Sequence, residues 1–291
     1  MLSTITKLIP AFLVYAWLVT KASWYWQNRE DLQFGWVVLL LSLYLIYEKL
    51  EDTGKNLEEG SVGWISRSIG GISIVCGVAI LFQFQIYTSS LGMKPAALVL
   101  LTFGVFLVIF GNLLFSFGFK GIKSYAFGFL FLAISLPMPS IVHGIVVNGL
   151  QNVVSAITVE FLNLIGTPAK QIGSLIELPG GTVGVDEACS GIRSLQSTVM
   201  ATLFIGYLSL KSIGTQCLLF VSGIALAVIG NLIRAIYLSH IANVQGIEAV
   251  EKHHDGAGYS ILAFTVVGVS LLAWLISRGE KVLMEEAAVE Q

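Results

Sequence analysis

Residues 95–118 of the chain read PAALVLLTFGVFLVIFGNLLFSFG, a run without a charged side chain. The hydrocarbon core of a bilayer is about 30 Å thick, and an apolar helix of about 20 residues crosses it. The run therefore predicts a transmembrane helix. The same measure predicts about eight spans, at residues 8–22, 32–47, 65–86, 95–118, 121–137, 191–210, 214–236 and 256–277.

The composition of the whole chain agrees with this pattern. Of its 291 residues, 55% are hydrophobic and 12% are charged, and the charged fraction is about half that of a soluble domain. We therefore predict an all-α integral membrane protein surrounded by the lipid bilayer. The net charge of -2 and the lack of a basic tract argue against a nucleic-acid partner.

The placement of lysine and arginine predicts how the spans are oriented. Lys120 and Lys123 mark one short connection, Lys211 marks a later one, and Arg278 follows the last span. Because cytoplasmic loops are enriched in positive charge, we place these residues, and both termini, in the cytoplasm. The chain then lies in the inner or plasma membrane as a multi-pass protein, with residues 138–190 on the extracytoplasmic side.

The region 138–190 predicts a polar outer module. Apolar residues recur at helical spacing in 140–165, between polar ones, which predicts an amphipathic helix that lies along the outer surface or covers a cavity between spans. Two short strands, Ser174–Leu178 and Thr182–Val185, are predicted next, as a hairpin-like loop. We treat residues 1–291 as a single membrane domain, made of N-terminal spans (1–94), a core (95–277) that includes this module, and a cytoplasmic tail (278–291).

The chain has three cysteines, and one of them differs from the others in its surroundings. Cys76 and Cys217 lie inside apolar runs, where cysteine behaves as a small hydrophobic residue. Cys189 follows a polar loop and opens an apolar run, next to a serine, a glycine and an arginine. A thiol in such a place reacts readily when a helix N-terminus or a cation favours its thiolate form. We predict no disulfide framework, no metal site and no cofactor.

Span counting brings two more chemically active residues to the side of Cys189. The chain crosses the membrane after Cys189, returns at Arg234, and continues through a short outer segment, 237–253, to His254, where the final span begins. Histidine is the usual base for a cysteine nucleophile, and it can protonate the leaving amine afterwards. A guanidinium can stabilise the oxyanion that forms. The three residue types suit acyl transfer from a peptide bond.

At these positions the chain resembles the exosortase/archaeosortase family. Residues 188–195, ACSGIRSL, resemble its cysteine motif, and residues 231–234, NLIR, resemble its Asn-x-x-Arg motif. Residues 254–259, HDGAGY, are similar to its histidine motif, although Tyr259 stands where tryptophan is common. The resemblance extends over roughly residues 95–277.

The resemblance implies a membrane cysteine transpeptidase or protease. Cys189 would be the nucleophile, Arg234 the stabiliser of the transition state and His254 the general acid and base. Its substrates would be exported proteins with PEP-CTERM-like sorting signals, which consist of a short motif, a transmembrane helix and a basic cluster. The supporting residues would be Ser190, Gly191, Arg193, Asn231 and Asp255.

Several alternatives stay open on the sequence alone. His253 stands beside His254, and we prefer His254 for its spacing to Gly258 and Tyr259. Arg193 lies one helical turn after Cys189, where it would favour the thiolate, bind a substrate carboxylate or contact a lipid headgroup. The chain as a whole is also compatible with a transporter or polymer-export component that does no covalent chemistry, or with a cysteine acyltransferase.

Overall fold

The computed structural model describes residues 2–53, 62–184 and 192–289 of the chain. Within these ranges it contains eight α-helices, two short 3-10 helices and one small sheet. The helices are α1 (Leu2–Asn28), α2 (Gly35–Thr53), α3 (Trp64–Leu91), α4 (Pro95–Leu130), α5 (Ser140–Leu164), α6 (Ile192–Ser209), α7 (Ile213–Gln245) and α8 (Ile247–Val289). The strands are β1 (Lys170–Ile172), β2 (Leu175–Leu178) and β3 (Gly181–Gly184).

The helices confirm the predicted all-α membrane fold, with differences in which helices qualify as spans. By length and composition, 7 described segments can cross a membrane, and they contain α1 to α5, α7 and α8. Helix α5, predicted as a surface helix, meets this criterion. Helix α6, predicted as a span, is not among the seven, because it carries polar residues such as Gln196, Thr198 and Thr202, all buried.

Helix α4 contains two of the predicted spans. Its 36 residues would form a straight helix about 54 Å long, far more than the bilayer core requires. Gly118 interrupts it with φ 65° and ψ -159°, a backbone conformation that favours glycine. The two limbs correspond to the predicted spans 95–118 and 121–137, so that boundary is confirmed.

The described chain forms two compact units, Met1–Ser140 and Ile141–Gln291. In the first unit, hydrogen bonds join helices across an apolar core. Tyr15 on α1 donates to Ser42 Oγ on α2 at 2.6 Å, and Ser42 donates to the carbonyl of Gly128 on α4 at 2.6 Å. These bonds satisfy polar groups where no water is available, which is what a membrane interior requires.

Helices α3 and α4 of the first unit approach each other through glycines. A Cβ atom added at Gly70 would lie 2.7 Å from the carbonyl oxygen of Gly111, and one added at Gly111 would lie 2.7 Å from that of Gly70. Gly77 and Gly104 form a second close approach, with 2.9 Å from an added Cβ at Gly77 to the Gly104 oxygen. Small residues permit this close packing between membrane helices.

The second unit begins with α5 and a three-stranded antiparallel sheet, in the order β1-β2-β3. Strands β2 and β3 are the two that the sequence predicts, although Val185, at the end of the predicted second strand, lies outside the described residues. Ile176 and Leu178 of β2 are buried and join a small core with α5 and with Ala242 of α7. The sheet thus rests between α5 and the end of α7.

Helices α7 and α8 are longer than predicted. The outer segment predicted at 237–253 is wrong as a separate element, because helix continues from α7 through Gln245 and resumes at Ile247. Gly246, with φ 84°, is the single break, and its N–H donates to the carbonyl of Ala242 at 3.1 Å. His254 therefore lies within α8, not ahead of it. Helix α8 also continues past residue 278, where a tail is predicted.

One carboxylate ties the far end of α8 to the connection between α6 and α7. Glu280 accepts hydrogen bonds from the backbone N–H groups of Lys211 (3.0 Å) and Ser212 (2.7 Å) and from the hydroxyl of Thr215 (3.1 Å). These groups lie at the N-terminus of α7, where backbone donors have no partner within the helix and a negative charge is favourable. Glu280 thus holds α7 and α8 in register.

Candidate active site

The predicted site residues divide into those that the structure describes and those that it does not. Cys189, Ser190 and Gly191 lie outside the described residues. Arg193 is in the first turn of α6, of which the backbone alone is described at that position. The others lie on two helices of the second unit: Asn231 and Arg234 on α7, and His254 and Asp255 on α8.

Helices α7 and α8 run antiparallel past each other and are close at the predicted site. A Cβ added at Gly230 would lie 2.9 Å from Ile261 of α8. One turn farther along α7, Arg234 faces Gly258, where an added Cβ would lie 3.5 Å from the guanidinium Nη2. An added Cβ at this distance would make an ordinary van der Waals contact, so Arg234 packs along the surface of α8 at Gly258.

Arg234 and His254 contact each other directly. Arg234 Nη2 lies 2.9 Å from His254 Nε2 and donates a second hydrogen bond, of 3.3 Å, to the His254 carbonyl oxygen. A guanidinium can only donate, so Nε2 is the acceptor and the ring carries its proton on Nδ1. The pair is therefore a neutral imidazole held in one orientation by a cation.

Asp255 contacts the opposite side of the same imidazole. His254 Nδ1 donates to Asp255 Oδ1 at 3.2 Å. The Asp255 side chain is 86% exposed and that of His254 is 26% exposed. Because exposed ion pairs contribute little free energy, this contact orients the ring less strongly than Arg234 does.

His253 points to a different partner. Its Nδ1 lies 3.0 Å from the hydroxyl of Tyr237 on α7, and the two rings are edge-on with centroids 5.9 Å apart. Arg234 thus pairs with one of the two adjacent histidines, and that one is His254. Tyr237 was not predicted as a site neighbour, since a tyrosine in an apolar run carries no signal of its own.

A cavity of about 160 Å³ opens beside the Arg234–His254 pair. Its wall includes Ser194 and Ser197, which lie one turn apart on α6, together with Asn231 on α7. The two serines were not predicted as site residues, although their spacing of three places them on one face of a helix. Three helices of the second unit thus supply polar groups to one cavity.

Asn231 is the most buried polar group in the wall of this cavity. It is 2% exposed, and its Nδ2 has no hydrogen-bond partner among the described residues. The described residues contain no group of three or more histidine, cysteine or acidic side chains that could hold a metal ion. What the site offers is a set of hydrogen-bond donors around a neutral imidazole.

The chain as a whole matches a known family. The family model described as transmembrane exosortase matches residues 26–274, which include every described residue of the site. No curated protein sequence and no solved structure matches the chain. The match covers most of the chain, including the three motifs at Cys189, Arg234 and His254. The chain therefore belongs to the transmembrane exosortase family.

Proposed function

We propose that the protein is a membrane cysteine transpeptidase. It cleaves the C-terminal sorting signals of exported proteins and transfers the cleaved proteins to an acceptor. The observation that carries this proposal is the hydrogen bond of 2.9 Å between Arg234 and His254 at the wall of a polar cavity. A donor and a neutral base in contact are the groups that acyl transfer from a peptide bond requires in addition to a nucleophile.

The nucleophile in this proposal is Cys189. It stands five positions before Ser194, which lines the cavity. Five residues extend at most about 18 Å, which limits how far the backbone of Cys189 can lie from Ser194. Cys76 and Cys217 are exposed on the apolar helices α3 and α7, and neither lines this cavity.

The proposed reaction has two steps, acylation of Cys189 and transfer of the acyl group to an acceptor. His254 Nε2 takes the thiol proton, and Cys189 Sγ attacks the carbonyl carbon of the scissile bond. The C–N bond then breaks, the amine leaves with the proton from His254, and a thioester remains. An acceptor nucleophile next gives its proton to His254 and attacks the thioester, which releases the thiol. Water in place of the acceptor turns the transfer into hydrolysis.

Arg234 has a role in each half of this cycle. A protonated Nε2 cannot accept a hydrogen bond, so the transfer of a proton to His254 breaks its contact with Arg234 Nη2. The donor is then released at the step in which the carbonyl oxygen becomes negative. A guanidinium next to that oxygen stabilises it without losing a proton. When His254 gives up its proton, the resting hydrogen bond forms again.

The substrate class follows from the family resemblance, and we propose it with the same function. The tail of the substrate would present its short motif to the cavity, while its transmembrane helix stays in the bilayer. We place the cavity on the extracytoplasmic side, where exported proteins arrive, with both termini in the cytoplasm. Cysteine scanning with a membrane-impermeant thiol reagent in whole cells tests this orientation.

The test of the function is Cys189→Ala in cells that also make a tailed exported protein. We expect the variant to be inserted in the membrane at the wild-type level and the substrate to keep its tail. Cys217→Ala is the matched control, and it leaves processing intact. Processing by Cys189→Ala at the wild-type rate would refute a cysteine mechanism and favour a transporter or export component. A thioester of Cys189 with a lipid acyl chain, found by mass spectrometry, would favour an acyltransferase.

A further inference from the structure

Asn231 carries a buried side-chain amide on α7. The residue is 2% exposed, and no described residue accepts a hydrogen bond from its Nδ2. A buried donor without a partner destabilises a fold, and native proteins contain few of them. A leucine of similar size would avoid this cost. An asparagine at this position therefore needs an explanation outside the fold.

The position of Asn231 indicates what the amide is for. Asn231 lies one helical turn before Arg234 on α7 and lines the same cavity as His254, Ser194 and Ser197. The two orientations of an amide about χ2 have the same shape, so the N–H donors can turn to the cavity without any other change. In the proposed function the scissile peptide bond enters this cavity, and a peptide carbonyl is an acceptor for such a donor.

We propose that Asn231 is a further catalytic residue, which donates a hydrogen bond from its side-chain amide to the carbonyl oxygen of the scissile bond; the inference rests on the proposed transpeptidase function. As Cys189 Sγ bonds to the carbonyl carbon, the electron pair of the C=O π bond moves to the oxygen, and the amide N–H stabilises that charge. As the C–N bond breaks, the pair returns. Asn231 neither gains nor loses a proton.

Arg234 is engaged with His254 before the reaction begins. Its Nη2 is directed at His254 Nε2 and at the His254 carbonyl oxygen in the resting geometry, and Nη2 turns to the substrate after His254 takes a proton. The amide of Asn231 needs no proton transfer before it can donate, and its helix packs closely against α8 at Gly230. Donors that are positioned before charge develops contribute most to catalysis.

The experiment compares Asn231→Leu with the wild type in three measurements on the full-length protein in detergent. These are kcat and KM for cleavage of a tailed peptide, the rate at which iodoacetamide alkylates Cys189, and the unfolding temperature. Alkylation needs the thiolate but forms no carbonyl oxyanion. We expect kcat to fall by about 100- to 1000-fold, as for other oxyanion donors. The KM, the alkylation rate and the unfolding temperature stay at or above the wild-type values.

Asn112→Leu is the matched control. Asn112 is also a buried asparagine on a membrane helix, 6% exposed, and its Oδ1 has no partner among the described residues. It lies on α4, in the first unit. We expect this variant to keep the wild-type values in all three measurements. Equal loss of kcat in both variants would contradict the proposal, because it would show a general effect of removing a buried amide.

Two further results would overturn the inference. One is a kcat for Asn231→Leu within about threefold of the wild type, since a lost oxyanion donor costs far more. The other is a parallel loss of unfolding temperature, alkylation and kcat, which indicates a structural role. If Asn231→Leu does not fold, Asn231→Ser and Asn231→Ala replace it, since both are small and serine alone keeps a donor. We expect serine to cleave at least tenfold faster, and equal rates would refute the proposal.

The outcome for Asn231 is separable from the outcome for the function as a whole. If the wild type and Cys189→Ala process the tail equally, the proposed cysteine mechanism fails, whatever Asn231 does. If the wild type cleaves, Cys189→Ala does not, and Asn231→Leu cleaves at the wild-type rate, the mechanism stands and the role of Asn231 alone is refuted.

Discussion

Replacing Arg234 by lysine keeps the positive charge but removes the planar arrangement of N–H donors. The guanidinium of Arg234 lies across Gly258, and its Nη2 contacts two acceptors of His254, Nε2 at 2.9 Å and the carbonyl oxygen at 3.3 Å. Lysine has a shorter reach and a compact ammonium that attracts water strongly, so it does not reproduce a planar fork between two packed helices.

The expected magnitude follows from the hydrogen bond that the freed guanidinium donates to the oxyanion in the proposed mechanism. A hydrogen bond that involves a charged group contributes about 1.5–3 kcal/mol net. Each 1.36 kcal/mol of lost transition-state stabilisation is about a tenfold loss of rate, so Arg234→Lys is expected to lower kcat/KM by roughly 10- to 150-fold. Arg234→Ala also removes the charge next to the oxyanion and is expected to lose more. Cleavage of a tailed peptide by the purified protein measures both.

Arg278→Lys is the matched control for the opening prediction. Arg278 is also on α8, where its guanidinium lies over the ring of Trp274 at 4.1 Å from the centroid, far along the helix from His254. We expect this variant to cleave at the wild-type rate. Arg193→Ala, one turn after Cys189, is expected to lose less than Arg234→Ala. The reverse order, or full activity of Arg234→Lys, would refute the assignment of Arg234.

Two other predictions concern the tandem histidines and the glycine contact between α3 and α4. His254→Ala is expected to lower kcat by about 100- to 10,000-fold, the usual contribution of a general acid-base residue. His253→Ala loses only its contact with Tyr237 and is expected to stay within about threefold of the wild type. Equal losses in the same cleavage assay would contradict the assignment. Gly111→Ala is expected to destabilise the protein by about 1–3 kcal/mol, because its Cβ meets backbone atoms of α3. Thermal unfolding in detergent measures this, and Gly71→Ala, whose Cβ meets nothing within 4 Å, should not destabilise.

Most of the helical architecture could be predicted from sequence, because apolar length carries the information. The break at Gly118 was predicted to within three residues, since charged residues follow it at Lys120 and Lys123. The helical character of 237–253 was missed, because polar residues there resemble a surface segment. Those residues continue the helices, and Gly246 provides the turn in a single residue. Strand β1 was also missed, as three residues give too short a pattern.

The site was predictable in part. Span counting predicted that Arg234 and His254 lie on the same side of the membrane, and the structure puts them in contact. The spacing to Gly258 and Tyr259 favoured His254 over His253, and His254 is the histidine that contacts Arg234. The buried amide of Asn231 could not be predicted. A donor without a partner is a property of packing, and packing between α7 and α8 depends on where Gly230 and Gly258 meet their neighbours.

The choice between the two histidines follows from helix geometry once the partners are known. Successive residues of an α-helix point about 100° apart, so two adjacent histidines cannot both face the same side chain of a neighbouring helix. On α7, Arg234 and Tyr237 are one turn apart, and each receives one histidine of α8. Arg234 can only donate, so Nε2 of His254 must accept. Tyr237 can donate or accept, so either tautomer is possible for His253. His254 is thus the histidine whose Nε2 lone pair is held by Arg234 at the wall of the cavity. That is the property a base for Cys189 requires.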